Sequence, residues 1–200
     1  MPWPSRKRWL GQGIRQGWVL GESFASQITW TLLARERFQV SGVILAGGFV
    51  KHPVRWTMRP AKFLCWWPLL RWFIPAYRAC RKLVRLGGLG SNGQTDLVEA
   101  FLVRRTELDL AAARHRLDLI ADNDPRAIAA QTRVPIYAPT GWLDPIVPWP
   151  FVRFWLRRHC PALRDYRVIW FSDHTVLNTA AEPAARQILA WMGQGGAFSH

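Results

Sequence analysis

The stretch Gly21-Glu22-Ser23-Phe24-Ala25 decides how this chain folds, because it joins an apolar run at 18–20 to a segment with helical apolar spacing. A serine between small residues at a sharp strand-to-helix turn is held away from the backbone, and its neighbours two positions away must be small. The usual pattern is G-x-S-x-G, and Ala25 adds only one methyl group in the last position. The stretch therefore predicts a tight turn with Ser23 as a candidate nucleophile, against the alternative of an ordinary turn serine.

Downstream of this turn, strand-like apolar runs alternate with helical patterns. We expect strands at 17–20, at 40–50 including a following loop, at 134–138 and at 166–171. We expect helices at 24–36, 96–119, 150–159 and 183–192, and a disordered tail after Gly193. Alternating strands and helices indicate an α/β fold with a mainly parallel sheet of about four strands flanked by helices.

Three polar residues each follow a predicted strand, namely Ser23, Asp144 and His174. The carboxyl ends of parallel strands meet at one edge of a sheet, so we expect these side chains to lie close together. Serine attacks well only when a base takes its proton, and histidine is suited to that task when a carboxylate orients it. Asp144 could instead be an Asp-Pro turn former and His174 a plain loop histidine. Asp173 competes with Asp144, but a residue adjacent to the histidine is expected to shape the loop.

Four segments resemble the α/β-hydrolase family, over roughly residues 15–192. They are L-G-E-S-F-A at 20–25, V-S-G-V-I-L-A at 40–46, V-P-I-Y-A-P-T-G-W-L-D-P-I-V-P at 134–148 and S-D-H-T-V-L at 172–177. The resemblance implies that Ser23 is the nucleophile, His174 the base and Asp144 the orienting acid. It also implies that the backbone amide of Phe24 donates to the oxyanion. The implied activity is hydrolysis of small carboxylic esters or thioesters through an acyl-enzyme, with no cofactor and no metal.

Residues 52–92 differ in composition from the rest, with recurring prolines, many aromatics and a glycine-rich end. We interpret them as a helical cap inserted into a core formed by 1–51 and 93–200. No acidic residue occurs between Glu36 and Asp96, whereas Lys and Arg recur throughout and the net charge is +14. Such a surface attracts anions, namely phospholipid headgroups, nucleic acid or acidic substrates, although the aromatics could instead be core in an arginine-rich protein. Nucleic-acid binding is not expected, because no recognised motif appears.

The cysteines, an odd number with no C-x-x-C pair, argue against a disulfide framework and favour a reducing, cytoplasmic compartment. They are Cys65, Cys80 and Cys160. No secretory signal is visible, and the longest apolar run, 63–70, is too short to cross a bilayer. The remaining histidines are expected at the surface or in the cap, and they are His52, His115, His159 and His200.

Only 22 residues precede Ser23, whereas a complete family member carries four strands and an oxyanion-donating loop before that position. The sequence therefore predicts an N-terminally truncated fold, through a late start, a fragment or a remnant gene, with the serine-bearing strand as an exposed edge. Loss of one oxyanion donor typically costs ~100- to 1,000-fold in rate, so we expect weak or no activity. The alternative function is an inactive remnant whose basic aromatic cap binds anionic membranes.

Overall fold

A computed structural model describes residues 16–35, 38–53 and 107–196, together with the isolated positions Ala79 and Lys82. Within this part of the chain four parallel strands form one sheet in the order β1-β2-β3-β4. The strands are β1 (Gln16–Glu22), β2 (Gln39–Ala46), β3 (Ile136–Gly141) and β4 (Leu163–Ile169). The predicted α/β fold with about four parallel strands is confirmed.

The described helices connect the strands or follow the last one. They are α1 (Ala25–Ala34), α2 (Glu107–Asp122), α3 (Arg126–Gln131), α4 (Trp149–His159), α5 (Val176–Thr179) and α6 (Ala181–Gly196). The short helices α3 and α5 were not predicted, because each offers too few residues for a helical repeat to be visible. The prediction that the tail after Gly193 is disordered is wrong for the residues up to Gly196, because α6 continues to that residue.

The strand ends near the site differ from the prediction by two or three residues. β3 runs later than 134–138, because Pro135 precedes the ladder and contributes only its carbonyl, which accepts from Val43 N–H at 2.8 Å. β4 starts earlier than 166–171, at a polar stretch whose Asp165 pairs with Tyr137 in the sheet. It also ends earlier, because Phe171 has a positive φ of 56° and leaves the extended conformation.

The two central strands are buried on both faces, and alternate residues enter opposite layers of the core. Val43, Leu45 and Ile136 join a cluster that includes Trp30 of α1. Ile44 and Tyr137 instead join Trp191 of α6 in a second cluster. This two-residue alternation is the geometry of a β-strand, and it explains the continuous apolar run in β2. Helices therefore cover both faces of the sheet and leave its carboxyl edge free for loops.

The proposed cap lies almost entirely outside the described residues, as do Cys65, Cys80, His200 and the predicted helical residues 96–106. His52, the first residue of the proposed cap, is described, and it is not a surface residue. It is 3% exposed and packs edge-on against Phe49, with 5.0 Å between ring centroids. His115 and His159 are exposed, as expected. Among the described helices, none is both long and apolar enough to span a membrane.

Gly141 ends β3 directly beneath the loop that follows β4. A Cβ at this position would lie 2.0 Å from the carbonyl oxygen of Asp173, a backbone atom that cannot rotate away. We expect Gly141→Ala to destabilise the fold by ~1–3 kcal/mol through overpacking, as measured by urea unfolding.

Gly193→Ala is the matched control, because a Cβ on Gly193 meets no atom within 4 Å. This substitution lies in α6 and should stabilise the fold by up to ~1 kcal/mol. Equal unfolding midpoints for Gly141→Ala and the unsubstituted chain would contradict the close approach.

Candidate active site

Ser23 lies in a strained turn between β1 and α1. Its φ is 52°, a left-handed conformation that costs a non-glycine residue ~1–2 kcal/mol. Three hydrogen bonds hold the turn. Ser23 N–H donates to Ala46 O of β2 at 2.9 Å, and Ser23 O accepts from the N–H and Oγ of Ser26 at 3.0 and 2.7 Å. The surrounding structure therefore compensates for the strain and aims the Ser23 hydroxyl away from the sheet.

A steric clash explains why position 21 carries a residue without a side chain. A Cβ on Gly21 would lie 2.4 Å from Thr29 Oγ1 and 3.1 Å from the carbonyl oxygen of Ala25. The first turn of α1 thus packs directly on the end of β1. Ala25 replaces the last glycine of the G-x-S-x-G pattern. It is the first residue of α1, and the helix accommodates its methyl group.

The structure brings Ser23, His174 and Asp144 into one hydrogen-bonded line. His174 Nε2 lies 2.6 Å from Ser23 Oγ, and His174 Nδ1 lies 2.8 Å from Asp144 Oδ2. The His174 side chain is 8% exposed and that of Asp144 is fully buried. Low local dielectric strengthens both hydrogen bonds. The arrangement can accept a proton from the hydroxyl and stabilise the resulting imidazolium.

Asp144 is held by the loop that it begins. Its Oδ1 accepts hydrogen bonds from the backbone N–H groups of Ile146 at 2.9 Å and Val147 at 2.8 Å. The other oxygen is thereby left to face His174. Asp144 is therefore both a turn former and the partner of the imidazole, so the two sequence interpretations of this residue do not exclude each other.

Asp173 shapes the histidine loop, as its position beside His174 predicts. Its Oδ1 accepts from the N–H and Oγ1 of Thr175, both at 2.8 Å, and from Thr179 Oγ1 at 3.2 Å. These bonds join the loop to the start of α5. Asp173 thus stabilises the backbone around His174, while Asp144 contacts the ring itself.

Phe24 follows Ser23 and is the N-cap residue of α1. Amide groups in the first turn of a helix have no intrahelical acceptor and lie at the positive end of the helix dipole. The guanidinium carbon of Arg116 on α2 lies 5.9 Å from the centroid of the Phe24 ring. An anion that develops beside Ser23 Oγ would therefore meet a favourable electrostatic environment.

Glu22 and His52 lie near the line of hydrogen bonds and were not predicted as site residues. Burial raises the pKa of Glu22, opposed by the charge of His174 and by a hydrogen bond from Leu177 N–H. The Oε1 of Glu22 is buried and has no partner among the described residues. Burial lowers the pKa of His52, whose Nε2 lies 3.1 Å from Ile146 O. Glu22 occupies a variable motif position, and His52 lies in a segment without a readable pattern, so neither gave a signal.

No set of His, Cys, Asp and Glu side chains within the described ranges is grouped so as to hold a metal ion.

Neither a scan against protein-family models nor a search of curated proteins finds a match. Solved structures do match. The bromoperoxidase from Bacillus anthracis gives a TM-score of 0.62 at 17% identity, over 92% of this chain and 70% of that one. A thermophilic esterase from Thermogutta terrifontis gives a TM-score of 0.60 at 16% identity, over 94% of this chain and 68% of the esterase. MGS-MChE2, an alpha/beta hydrolase from a Mar Chica lagoon metagenome, gives a TM-score of 0.60 at 12% identity, over 94% of this chain and 66% of the hydrolase. At such identities the likeness shows the fold, and the chain spans about two thirds of each matched protein.

The half-buried carboxyl of Glu22 makes a testable contribution to stability. Because its pKa is raised above the ordinary 4.5, the folded state binds more protons than the unfolded state just above that pH. Stability is therefore lost as pH rises through the raised pKa. We expect Glu22→Gln, which keeps an acceptor for Leu177 N–H, to increase the unfolding temperature at pH 8 but not at pH 4.

Glu182→Gln is the control, because Glu182 is an exposed carboxylate that pairs with Arg186 on its own helix. Its effect should be small, as for other surface ion pairs. A Glu22→Gln effect of equal size at both pH values would show that the carboxyl charge plays no part.

Proposed function

We propose that this chain, which has the α/β-hydrolase fold that its sequence resembles, is a serine hydrolase of carboxylic esters or thioesters. The observation that carries the proposal is the unbroken hydrogen-bonded line from Ser23 through His174 to Asp144. The strained backbone at Ser23 supports it, because such conformations persist mainly where function requires them.

The proposed reaction begins with attack of Ser23 Oγ on the carbonyl carbon of the substrate. His174 Nε2, 2.6 Å away, takes the hydroxyl proton during the attack. Asp144 stabilises the imidazolium through Nδ1 and keeps the ring in the correct tautomer. The Phe24 amide donates to the developing oxyanion.

Collapse of the tetrahedral intermediate breaks the bond to the leaving alcohol or thiol, and His174 returns its proton to that group. The acyl group then remains on Ser23 Oγ. Water attacks the acyl-enzyme, with His174 again as base, and releases the carboxylic acid. Each step uses the same three side chains, so the reaction requires no cofactor in this proposal.

A second candidate function, docking on an anionic membrane surface, is favoured by the outer face of α4. Val152 and Leu156 of this helix are buried, whereas Phe151 and Phe154 are 65% and 67% exposed. The last turn is basic, and no acidic residue occurs between positions 149 and 159. Exposed aromatic rings beside cations on one helix are complementary to anionic lipid headgroups over an acyl boundary.

Covalent labelling tests the first proposal. A fluorophosphonate reacts with a serine only when a base activates it. We expect the folded chain to be labelled at Ser23, with labelling lost in Ser23→Ala and retained in Ser41→Ala, which replaces a half-buried serine on β2. Absence of labelling in folded protein, or labelling that survives in Ser23→Ala, would overturn the assignment.

Vesicle co-sedimentation tests the second proposal. We expect binding to phosphatidylcholine vesicles that contain phosphatidylglycerol, and a loss of about tenfold or more in the Phe151→Ser, Phe154→Ser double variant. Leu189→Ser is the control, because this residue is 66% exposed on α6. Equal binding to vesicles without anionic lipid, or by the double variant, would contradict docking through α4.

A further inference from the structure

His52 is a buried histidine that the proposed reaction does not use. It follows β2 by a few residues and is 3% exposed. Its ring packs edge-on against Phe49, and its Nε2 lies 3.1 Å from the carbonyl oxygen of Ile146. A histidine buried this completely and bonded to one backbone atom of a distant loop calls for a physical account.

The contact of His52 leads directly to Asp144. The carbonyl of Ile146 accepts from the His52 ring, while the N–H of the same residue donates to Asp144 Oδ1 at 2.9 Å. Asp144 Oδ2 in turn lies 2.8 Å from His174 Nδ1. A continuous series of polar contacts thus runs from His52 to the imidazole that faces Ser23.

The loop between β3 and α4 needs such an anchor. Residues 142–148 form neither helix nor strand, and the Ile146 side chain is 46% exposed. Apolar packing therefore holds Val147, which is 1% exposed, but does little for Ile146 itself. The ring of His52 ties the Ile146 backbone to the segment that follows β2, and β2 itself accepts from Ser23 N–H through Ala46 O.

The surroundings of His52 keep it a neutral hydrogen-bond donor. Nε2 must carry the proton to donate to Ile146 O, and the buried Nδ1 has no partner among the described residues. A second proton would place a buried cation near His174, and burial lowers the His52 pKa accordingly. His52 therefore neither gives nor takes a proton in the reaction.

We propose that His52 is a positioning residue, which holds Ile146 so that the loop presents Asp144 to His174. The proposal rests on the proposed function of the Ser23 site, but the placement of His174 can be measured without turnover. His52 acts through Ile146 and Asp144 and does not touch the reacting atoms.

Two substitutions separate hydrogen bonding from packing at this position. His52→Phe keeps a flat ring against Phe49 but removes the donor, whereas His52→Gln retains a donor near the position of Nε2. We expect His52→Phe to slow fluorophosphonate labelling of Ser23 about tenfold, the effect of one net hydrogen bond, and His52→Gln to recover most of the rate. His115→Phe is the matched control, because His115 is exposed on α2.

The second readout is the proton NMR signal of His174 Nδ1–H in the free protein. We expect it to move or broaden in His52→Phe and to stay in place in His52→Gln and His115→Phe. We expect the unfolding temperature to fall by about 2–4 °C in His52→Phe, which loses the hydrogen bond to Ile146, and to change little in the other two variants. An unchanged signal and labelling rate in His52→Phe would overturn the proposal. So would equal losses of stability and labelling in both His52 variants, which indicate packing alone. A changed signal in a protein that is never labelled would retain the positioning role and reject the proposed function.

Discussion

The left-handed backbone of Ser23 is the constraint around which the site is arranged. A residue in that conformation can be kept only if neighbouring elements fix both sides of its peptide unit. Here β2 accepts the Ser23 N–H and Ser26 of α1 donates to its carbonyl. The same requirement explains why Gly21 stands next to the last residue of β1, since any side chain there would strike α1. Strand, turn and helix are therefore fixed together, and so is the direction in which the Ser23 side chain leaves the backbone.

The histidine loop must cross the sheet to reach that hydroxyl, because β1 and β4 lie at opposite ends of the described strand order. Two glycines make room for it. Gly47, with a φ of 54°, lies beneath the His174 carbonyl, where a Cβ would be 2.9 Å from the oxygen. Gly141 lies beneath the Asp173 carbonyl in the same way. The backbone of the loop therefore rests directly on the ends of β2 and β3, which sets the height of the imidazole above the sheet.

The electrostatics around the imidazole depend on burial. Burial favours the neutral forms of Glu22 and His52, two groups whose charges would act on His174. Asp144 is the fully buried carboxylate side chain that contacts the imidazole, and three donors satisfy its two oxygens. Burial strengthens the Asp144–His174 interaction, because the low local dielectric screens it weakly.

The sequence by itself determined the α/β class, the four parallel strands and the position of Ser23, Asp144 and His174 after three of those strands. Those features depend on local signals, namely the alternation of apolar runs, the small residues around Ser23 and the turn chemistry of Asp-Pro. Only the tertiary structure decided the ends of β3 and β4, the burial of Glu22 and the contact of His52 with Ile146, which lies 94 residues away. No local pattern encodes that contact, because it depends on how the end of β2 packs against a loop from a different part of the chain. The distances from His174 to its two partners are likewise properties of the assembled sheet, since they join loops that only its packing brings together.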